Sequence, residues 1–429
     1  MKLSWAAGQS RDIRGVTRRV WQCAVIACLL SPAADLAADT DNSSTAAERG
    51  EYLAVAGNCI SCHTHAGGTP FAGGLPFSTP FGTLYSTNIT PDAETGIGDW
   101  TKEQFVRALR EGVRPNGEHL YPAFPYTAFT LVSDQDASDL YEYFRSLTPV
   151  SYRAPDNELR FPYNQRWLLS LWKALYFGAG RFAPDGAQSA EWNRGAYLVE
   201  GLGHCGSCHT PRNFLAAPDA KLAFSGGISY HTTAGKTLAW SATNLTSAPS
   251  GLSAWPIEEL VSYLRYGMSA NASVFGPMNE VVLNSTRHLS EGDVRAMAVY
   301  LKSLPAREQP ADGQVAPETL NAGSLLYSIH CGTCHLPTGL GSDTTGPSLV
   351  GSSVTLAPDP ASLINITLHG PELPHTAPSP QWQARRWQMM GAYADKLTDD
   401  EVVALLSYVR NAWGNKAGEV TADHVSRQR

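Results

Sequence analysis

Three times along the chain, two cysteines separated by two residues are followed at once by histidine: "CISCH" at 59–63, "CGSCH" at 205–209 and "CGTCH" at 331–335. These signatures take six of the eight cysteines, and the other two, Cys23 and Cys28, lie in an apolar N-terminal run. One signature alone would be half a zinc site or a redox dithiol. Three copies with no cysteine left over suit neither a four-ligand zinc site nor a disulfide scaffold. They suit covalent haem c, in which two thiols add across the vinyl groups and the adjacent histidine binds iron from the proximal side. The sequence therefore predicts three haems c, held by Cys59 and Cys62, Cys205 and Cys208, and Cys331 and Cys334, with His63, His209 and His335 on the irons.

The surroundings of the signatures repeat as well, the mark of an array. "RGEYLAVAGNCISCH", "RGAYLVEGLGHCGSCH" and "AGSLLYSIHCGTCH" share a helical lead-in, and "YSTNITPDAETGIGDW" parallels "WSATNLTSAPSGLSAW". Each unit closes on an amphipathic pattern opened by Ser or Thr and acidic residues, a helix N-cap with favourable first-turn charge: "SDQDASDLYEYFRSL", "SEGDVRAMAVYLKSL" and "TDDEVVALLSYVRNAWG". The fold expected is all-α, three tandem small cytochrome c domains with long loops around covalent haems. Their boundaries are read as 45–150, 188–306 and 316–417, with a polar tail at 418–429. A domain of about 100 residues has a thin core of its own, and a buried macrocycle supplies the missing apolar surface.

Residues 151–187 form an aromatic linker in which Trp167, Leu168, Leu171, Trp172, Leu175 and Tyr176 fall at helical spacing. The run is too short to cross a bilayer. It reads first as an inter-domain helix packed on the haem domains, and otherwise as an anchor in the membrane surface or a partner-docking helix. Residues 1–38 read as a cleaved export signal: Arg11, Arg14, Arg18 and Arg19 precede "VWQCAVIACLLSPAA". The Sec route is expected, since haem c is attached outside the cytoplasm to an unfolded chain, and Cys28 is read as an ordinary residue of the apolar run. A formal net charge of −7 without a basic stripe argues against nucleic acid as a partner.

Electron-transferring cytochromes c usually complete the iron with methionine, which raises the potential. Of six methionines, Met1 opens the leader and the rest are Met268, Met278, Met297, Met389 and Met390. Met278, on a Gly-Pro turn, is the expected distal ligand of the second haem, with Met268 as fallback and Met297 as core packing. Met390, with Met389 as alternative, serves the third. No methionine lies between His63 and His209, and "YPAFPY" places Phe124 where a ligand is expected. For the first haem His119 is a possible distal ligand, and an open or water-bound site or a residue from another domain are the alternatives. His65 is too close to the proximal His63, and Tyr121 and Tyr126 match a low-spin haem poorly.

With these segments in view, the chain resembles the three-haem cytochrome c subunit of bacterial membrane-bound alcohol, gluconate, fructose and aldehyde dehydrogenases. The likeness covers most of residues 46 to 415 and includes "PFAGGLPFSTPFGTLYSTNIT", "EHLYPAFPY", "FGPMNEVV" and "LLSYVRNAWGN". It implies electron transfer from a catalytic partner (quinoprotein, flavoprotein or molybdenum type) to ubiquinone or a terminal oxidase, on the periplasmic side of the cytoplasmic membrane. It also implies that Met278 and Met390 are axial ligands. At Phe124 the family pattern is "YPAMPY", a departure that bears on the first haem's potential; His119 is common in the family beside that methionine. Two other functions stand against a docked relay without a substrate site. One is a peroxidase-like or small-oxidant reductase at an open first haem, although no acid–base constellation is seen near Phe124. The other is a free periplasmic carrier.

Overall fold

The computed structural model describes residues 44–233, 236–270, 272–310, 313–371 and 387–429. The export-signal reading of residues 1–38 lies outside them. In chain order the helices used below are α1 (Ala46–Ala56), α2 (Lys102–Glu111), α3 (Asp134–Ser146), α4 (Leu168–Tyr176), α5 (Ala190–Ala196), α6 (Ile257–Tyr266), α7 (Met278–Asn284), α8 (Glu291–Ser303), α9 (Pro317–His330), α10 (Ala361–His369) and α11 (Asp399–Asn411).

One helix crossing occurs three times. α1 packs on α3, α5 on α8, and α9 on α11. At each crossing a glycine of the leading helix meets backbone of the closing one. A Cβ on Gly50, Gly195 or Gly323 would lie 2.0, 1.9 or 2.1 Å from the carbonyl oxygens of Asp139, Ala296 and Ala404. The same three positions would press on the Cβ atoms of Tyr143, Tyr300 and Tyr408. Glycine is required there because the axes approach too closely for any side chain. The closing helices start as their sequences predict: Ser133, Ser290 and Thr398 accept hydrogen bonds from the backbone of Asp136, Asp293 and Glu401. The second lead-in has one residue more between its tyrosine and first cysteine (Tyr197 to Cys205, against Tyr52 to Cys59). The excess is taken up as a wide π turn at Tyr197–Leu202.

The all-α expectation needs correction. The chain is helix-rich, 41% helical, and among the described residues it also forms two small antiparallel sheets. Strands β1 (Pro76–Thr79) and β2 (Gly82–Tyr85) form a hairpin, and β3 (Glu158–Leu159) adds to its far edge. Strands β4 (Gly227–Thr233) and β5 (Lys236–Ala242) form a second hairpin, with Gly227 opposite Ala242. The cause is local. "PFSTPFGTLY" and "GISYHTT" alternate aromatic or β-branched residues with small ones, the pattern of a pleated strand. β3 falls inside the aromatic linker, so the start of that segment belongs to the first sheet.

Two cores result. One runs continuously from Leu53 through Phe105, Leu140, Leu198 and Leu260 to Leu304, so the first two crossings share an interior. The other, around Tyr327, Ile364, Leu405 and Val409, belongs to the third. Residues 418–429, read as a polar tail, carry Val420 and Val425 into that core. Arg410 lies inside the third segment, 1% exposed, and donates to the carbonyls of Thr355, Ala357, Pro358 and Ala417. Burial lowers its pKa to about 10, with Asp359 the opposing charge. It ties the loop before α10 to the turn after α11.

The first two crossings are joined by a reciprocal latch. Tyr52 of α1 donates to the Asp293 carboxylate at 2.6 Å and accepts from Ser290 N at 3.0 Å, at the start of α8. Tyr197, in the equivalent place, donates to the Asp136 carboxylate and accepts from Ser133 N at 3.1 Å, at the start of α3. Each segment thus grips the N-terminus of the other's closing helix, a local two-fold arrangement within one chain. Arg194 adds two bonds of 2.7 Å to Asp293. The third segment joins the second through α10 on β5: Ser362 pairs with Ser241, and Asn365 donates to Ala239 O at 2.8 Å.

Candidate haem-attachment sites

Each cysteine pair lies on one turn of helix: Cys59–Cys62, then Gly206–His209 and Gly332–His335 immediately after Cys205 and Cys331. Before the first two turns the lead-in helix is broken by a left-handed residue, Asn58 at φ 49° and His204 at φ 37°. A spacing of three residues puts both sulfurs on one face of the turn. None of the six is in a disulfide. Burial pushes the thiols of Cys59, Cys62 and Cys205 up to about 12 and that of Cys331 to about 11.

The histidines are held alike. His63 Nδ1 is 2.7 Å from Thr87 O, His209 Nδ1 2.7 Å from Thr243 O, and His335 Nδ1 2.9 Å from Pro347 O. A carbonyl can only accept, so each Nδ1 carries the proton and each Nε2 presents its lone pair, the tautomer that binds a metal. Burial lowers all three ring pKa values, against the opposing pull of the carbonyls, and keeps the imidazoles neutral. Each histidine's own carbonyl is fixed too, by the N–H of Gly73, Gly226 and Gly341, all at positive φ. Reduced paired thiols beside a neutral imidazole with Nε2 free fit covalent haem c. Among the described residues no cluster of three metal-binding side chains offers a protein-only metal site.

Sequence reasoning missed the carbonyls and what holds them. Asn88, next to Thr87, donates to Val150 O at 2.7 Å and accepts from Thr90 N at 2.9 Å. Asn244, next to Thr243, donates to Arg307 O at 2.7 Å and accepts from Thr246 N at 2.8 Å. Both asparagines are buried. The signal was the repeated "TNIT" and "TNLT", visible as likeness but not as a carbonyl support.

The expected distal residues fall in comparable places. Phe124 follows the Val113–His119 bridge and precedes the turn Tyr126–Phe129; Met278 follows the Met268–Ser273 bridge and opens α7. Both pack on the shared core, and Met297 is buried within it. In the third segment Met390 is half-buried and Met389 is 70% exposed. His119 is drawn toward the linker: its Nδ1 lies 3.2 Å from Lys173 Nζ of α4.

The first two attachment turns touch. His204 Nε2 is 3.3 Å from Gly57 O, and Asn284 at the end of α7 donates to Ser61 at 2.8 Å. Besides burial, the upward shift of Cys62 has contributions from Glu280 and from the Cys208 thiol of the next turn.

Helix α4 turns Leu169 and Lys173 inward, while Trp167, Leu171 and Leu175 are 64%, 57% and 71% exposed. The inter-domain reading therefore accounts for one face only. No helix among the described residues is long and apolar enough to cross a membrane.

Residues 47–148 and 320–413 match the family model of cytochrome c, so the class is a cytochrome c with covalent haem. The chain is 39% identical over 408 residues to the gluconate 2-dehydrogenase cytochrome c subunit of Pantoea cypripedii, covering 91% of each. It is 37% identical over 423 residues to the cytochrome c subunit of the quinone alcohol dehydrogenase of Gluconobacter oxydans, covering 95% of this chain and 87% of that one. It belongs to this family of dehydrogenase cytochrome c subunits, electron-transfer components of dehydrogenase complexes. A longer relative is one of the nicotinate dehydrogenase subunits of Pseudomonas putida, 42% identical over 399 residues, of which this chain spans 32%.

Proposed function

We propose that the chain is a three-haem electron relay, built as three tandem cytochrome c domains. It takes electrons from a quinoprotein, flavoprotein or molybdenum dehydrogenase subunit and passes them to ubiquinone or a terminal oxidase. It works peripherally on the periplasmic side of the cytoplasmic membrane after loss of an export signal. The observation that carries this reading is the triple recurrence of one arrangement: a cysteine turn after a glycine-crossed helix, with the next histidine held through Nδ1 by a backbone carbonyl. It supports attachment at Cys59/Cys62, Cys205/Cys208 and Cys331/Cys334, His63, His209 and His335 as proximal ligands, and Met278 and Met390 as distal ones.

Haem c, when bound, supplies a one-electron iron couple. The chain's residues do the rest. Thr87, Thr243 and Pro347 fix the imidazole tautomers through their carbonyls, and the tyrosine latch holds the first two turns at a set separation.

Two exposed faces support docking. Leu325 and Ile329 of α9, 65% and 61% exposed, stand where Tyr52 and Ala56 stand relative to the crossing glycine. Those residues are covered by the second segment, through Asp293 and through Ser285 Oγ to Ala56 O. In the third segment the equivalent face is exposed at Leu325 and Ile329, and we assign it to the dehydrogenase. Trp167, Leu171 and Leu175, with Phe161 and Phe214 at 80% and 84% exposed, suit the headgroup layer of a bilayer. A free carrier has no use for either face.

The test is purification of the tagged full chain from its own host. The expected result is a dehydrogenase that co-purifies and reduces ubiquinone only with the chain present, an association lost in Leu325→Glu/Ile329→Glu with haem retained. A haem-loaded chain that turns over peroxide alone and leaves substrate-dependent quinone reduction unchanged contradicts the proposal.

A further inference from the structure

The first segment differs from the other two on its distal side. Phe124 occupies the place that Met278 holds in the second, between an antiparallel bridge and a short helix, packed on the same core. Its ring lies 5.4 Å from that of Phe129. A phenyl group has no lone pair to give to iron, and no methionine occurs from His63 to His209.

Apart from the buried Tyr126 hydroxyl, which has no hydrogen-bond partner, the polar groups nearby are already engaged. His119 sits against Lys173, with its backbone carbonyl accepting from Arg166 at 2.8 Å. Lys173 itself donates to Glu111 O and lies over the ring of Tyr126. The Tyr121 hydroxyl donates to Tyr163 O at 3.0 Å, and the Arg166 guanidinium covers its ring. Tyr126 is fully buried between Gly112, Phe177 and Lys173, with no surface to offer a ligand site. His65 bonds Gly73 O at 2.8 Å and stacks on Tyr152, and His204 is held by Gly57 O. For the histidines and Tyr121, those bonds would have to break before the side chain could reach iron.

We propose that the haem on Cys59, Cys62 and His63 receives no sixth ligand from the protein and is a binding site for a small π-acceptor ligand of the carbon monoxide or nitric oxide class. This rests on the three-haem reading above. Phe124 shields the site with an apolar ring, which suits a small uncharged diatomic better than an anion. The second and third haems, with methionine in place, do not bind such a ligand, so the chain has one reactive centre and two closed ones.

The test uses the full haem-loaded chain, reduced with dithionite and titrated with carbon monoxide, with an EPR spectrum of the oxidised form. The expected result is one carbon monoxide bound per three haems and one high-spin ferric signal in three. Phe124→Met abolishes both, and His119→Ala changes neither. A low-spin first haem that binds no carbon monoxide overturns the proposal. So does a carbon monoxide site that opens only in His119→Ala, because histidine would then be the ligand. Absence of haem from the Cys59–Cys62 peptide, read by mass spectrometry, defeats the three-haem reading itself and is distinguishable from both.

Discussion

Removing one hydroxyl from the latch tests whether the first two segments are a single body. In Tyr52→Phe the ring stays and two hydrogen bonds go: the 2.6 Å bond to Asp293 and the 3.0 Å bond from Ser290 N. A hydrogen bond to a charged partner contributes about 1.5–3 kcal/mol. Asp293 keeps both bonds from Arg194, so the loss should fall toward the lower end, near 1.5–2 kcal/mol. Tyr197→Phe removes the matching pair at Asp136 and Ser133 and should cost a similar amount, about 1.5–3 kcal/mol. The two tyrosines share no hydrogen-bond partner, so the double variant should lose about the sum, roughly 3–5 kcal/mol. Denaturant unfolding of the haem-loaded chain, followed by haem absorption and by far-ultraviolet circular dichroism, reads the difference. Each single variant should shift the transition containing the first two segments and leave that of the third in place. Losses below about 0.5 kcal/mol in both singles, the range of an ordinary surface substitution, would refute the reasoning.

The same carboxylate predicts a pH dependence. Burial raises the pKa of Asp293, but the bonds from Arg194 and Tyr52 outweigh it and the net shift is downward. A carboxylate with a folded pKa below its unfolded value of about 3.9 stabilises the fold above that value. The contribution is lost as pH falls through the folded pKa, so the first transition should weaken below about pH 4, and Asp293→Asn, measured by the same unfolding curves, should remove that part of the slope. Gly323→Ala puts a methyl 2.1 Å from Ala404 O and should destabilise the third segment selectively, by about 1–3 kcal/mol or more, seen as an early transition in denaturant. Leu171→Glu/Leu175→Glu replaces two exposed apolar groups on α4. It should reduce sedimentation of the chain with phospholipid vesicles several-fold while leaving its unfolding free energy within about 0.5 kcal/mol of the parent.

Much of this was legible in the sequence because the fold repeats its chemistry. C-x-x-C-H and the Ser/Thr caps are short-range signals, and Ser133, Ser290 and Thr398 cap as their neighbours predict. The glycine of each lead-in was visible as likeness, but its reason, backbone contact with a helix some 80 to 100 residues away, is a tertiary fact. The hairpins carry a local strand alternation, but the same segments also suit the long loops expected around the haems, and only the paired register in the structure decides for strands. The latch was hidden for the same reason. Tyr52 and Tyr197 are visible in the sequence only as part of the repeated lead-in, and the docking of one segment on the other gives their hydroxyls partners.

The measurement that bears most directly on the account is peptide mass mapping of the full chain purified from its own host. Three peptides, carrying Cys59/Cys62, Cys205/Cys208 and Cys331/Cys334, should each bear one covalent haem. A purified chain in which any of the three carries free thiols or a disulfide would contradict the account at its root.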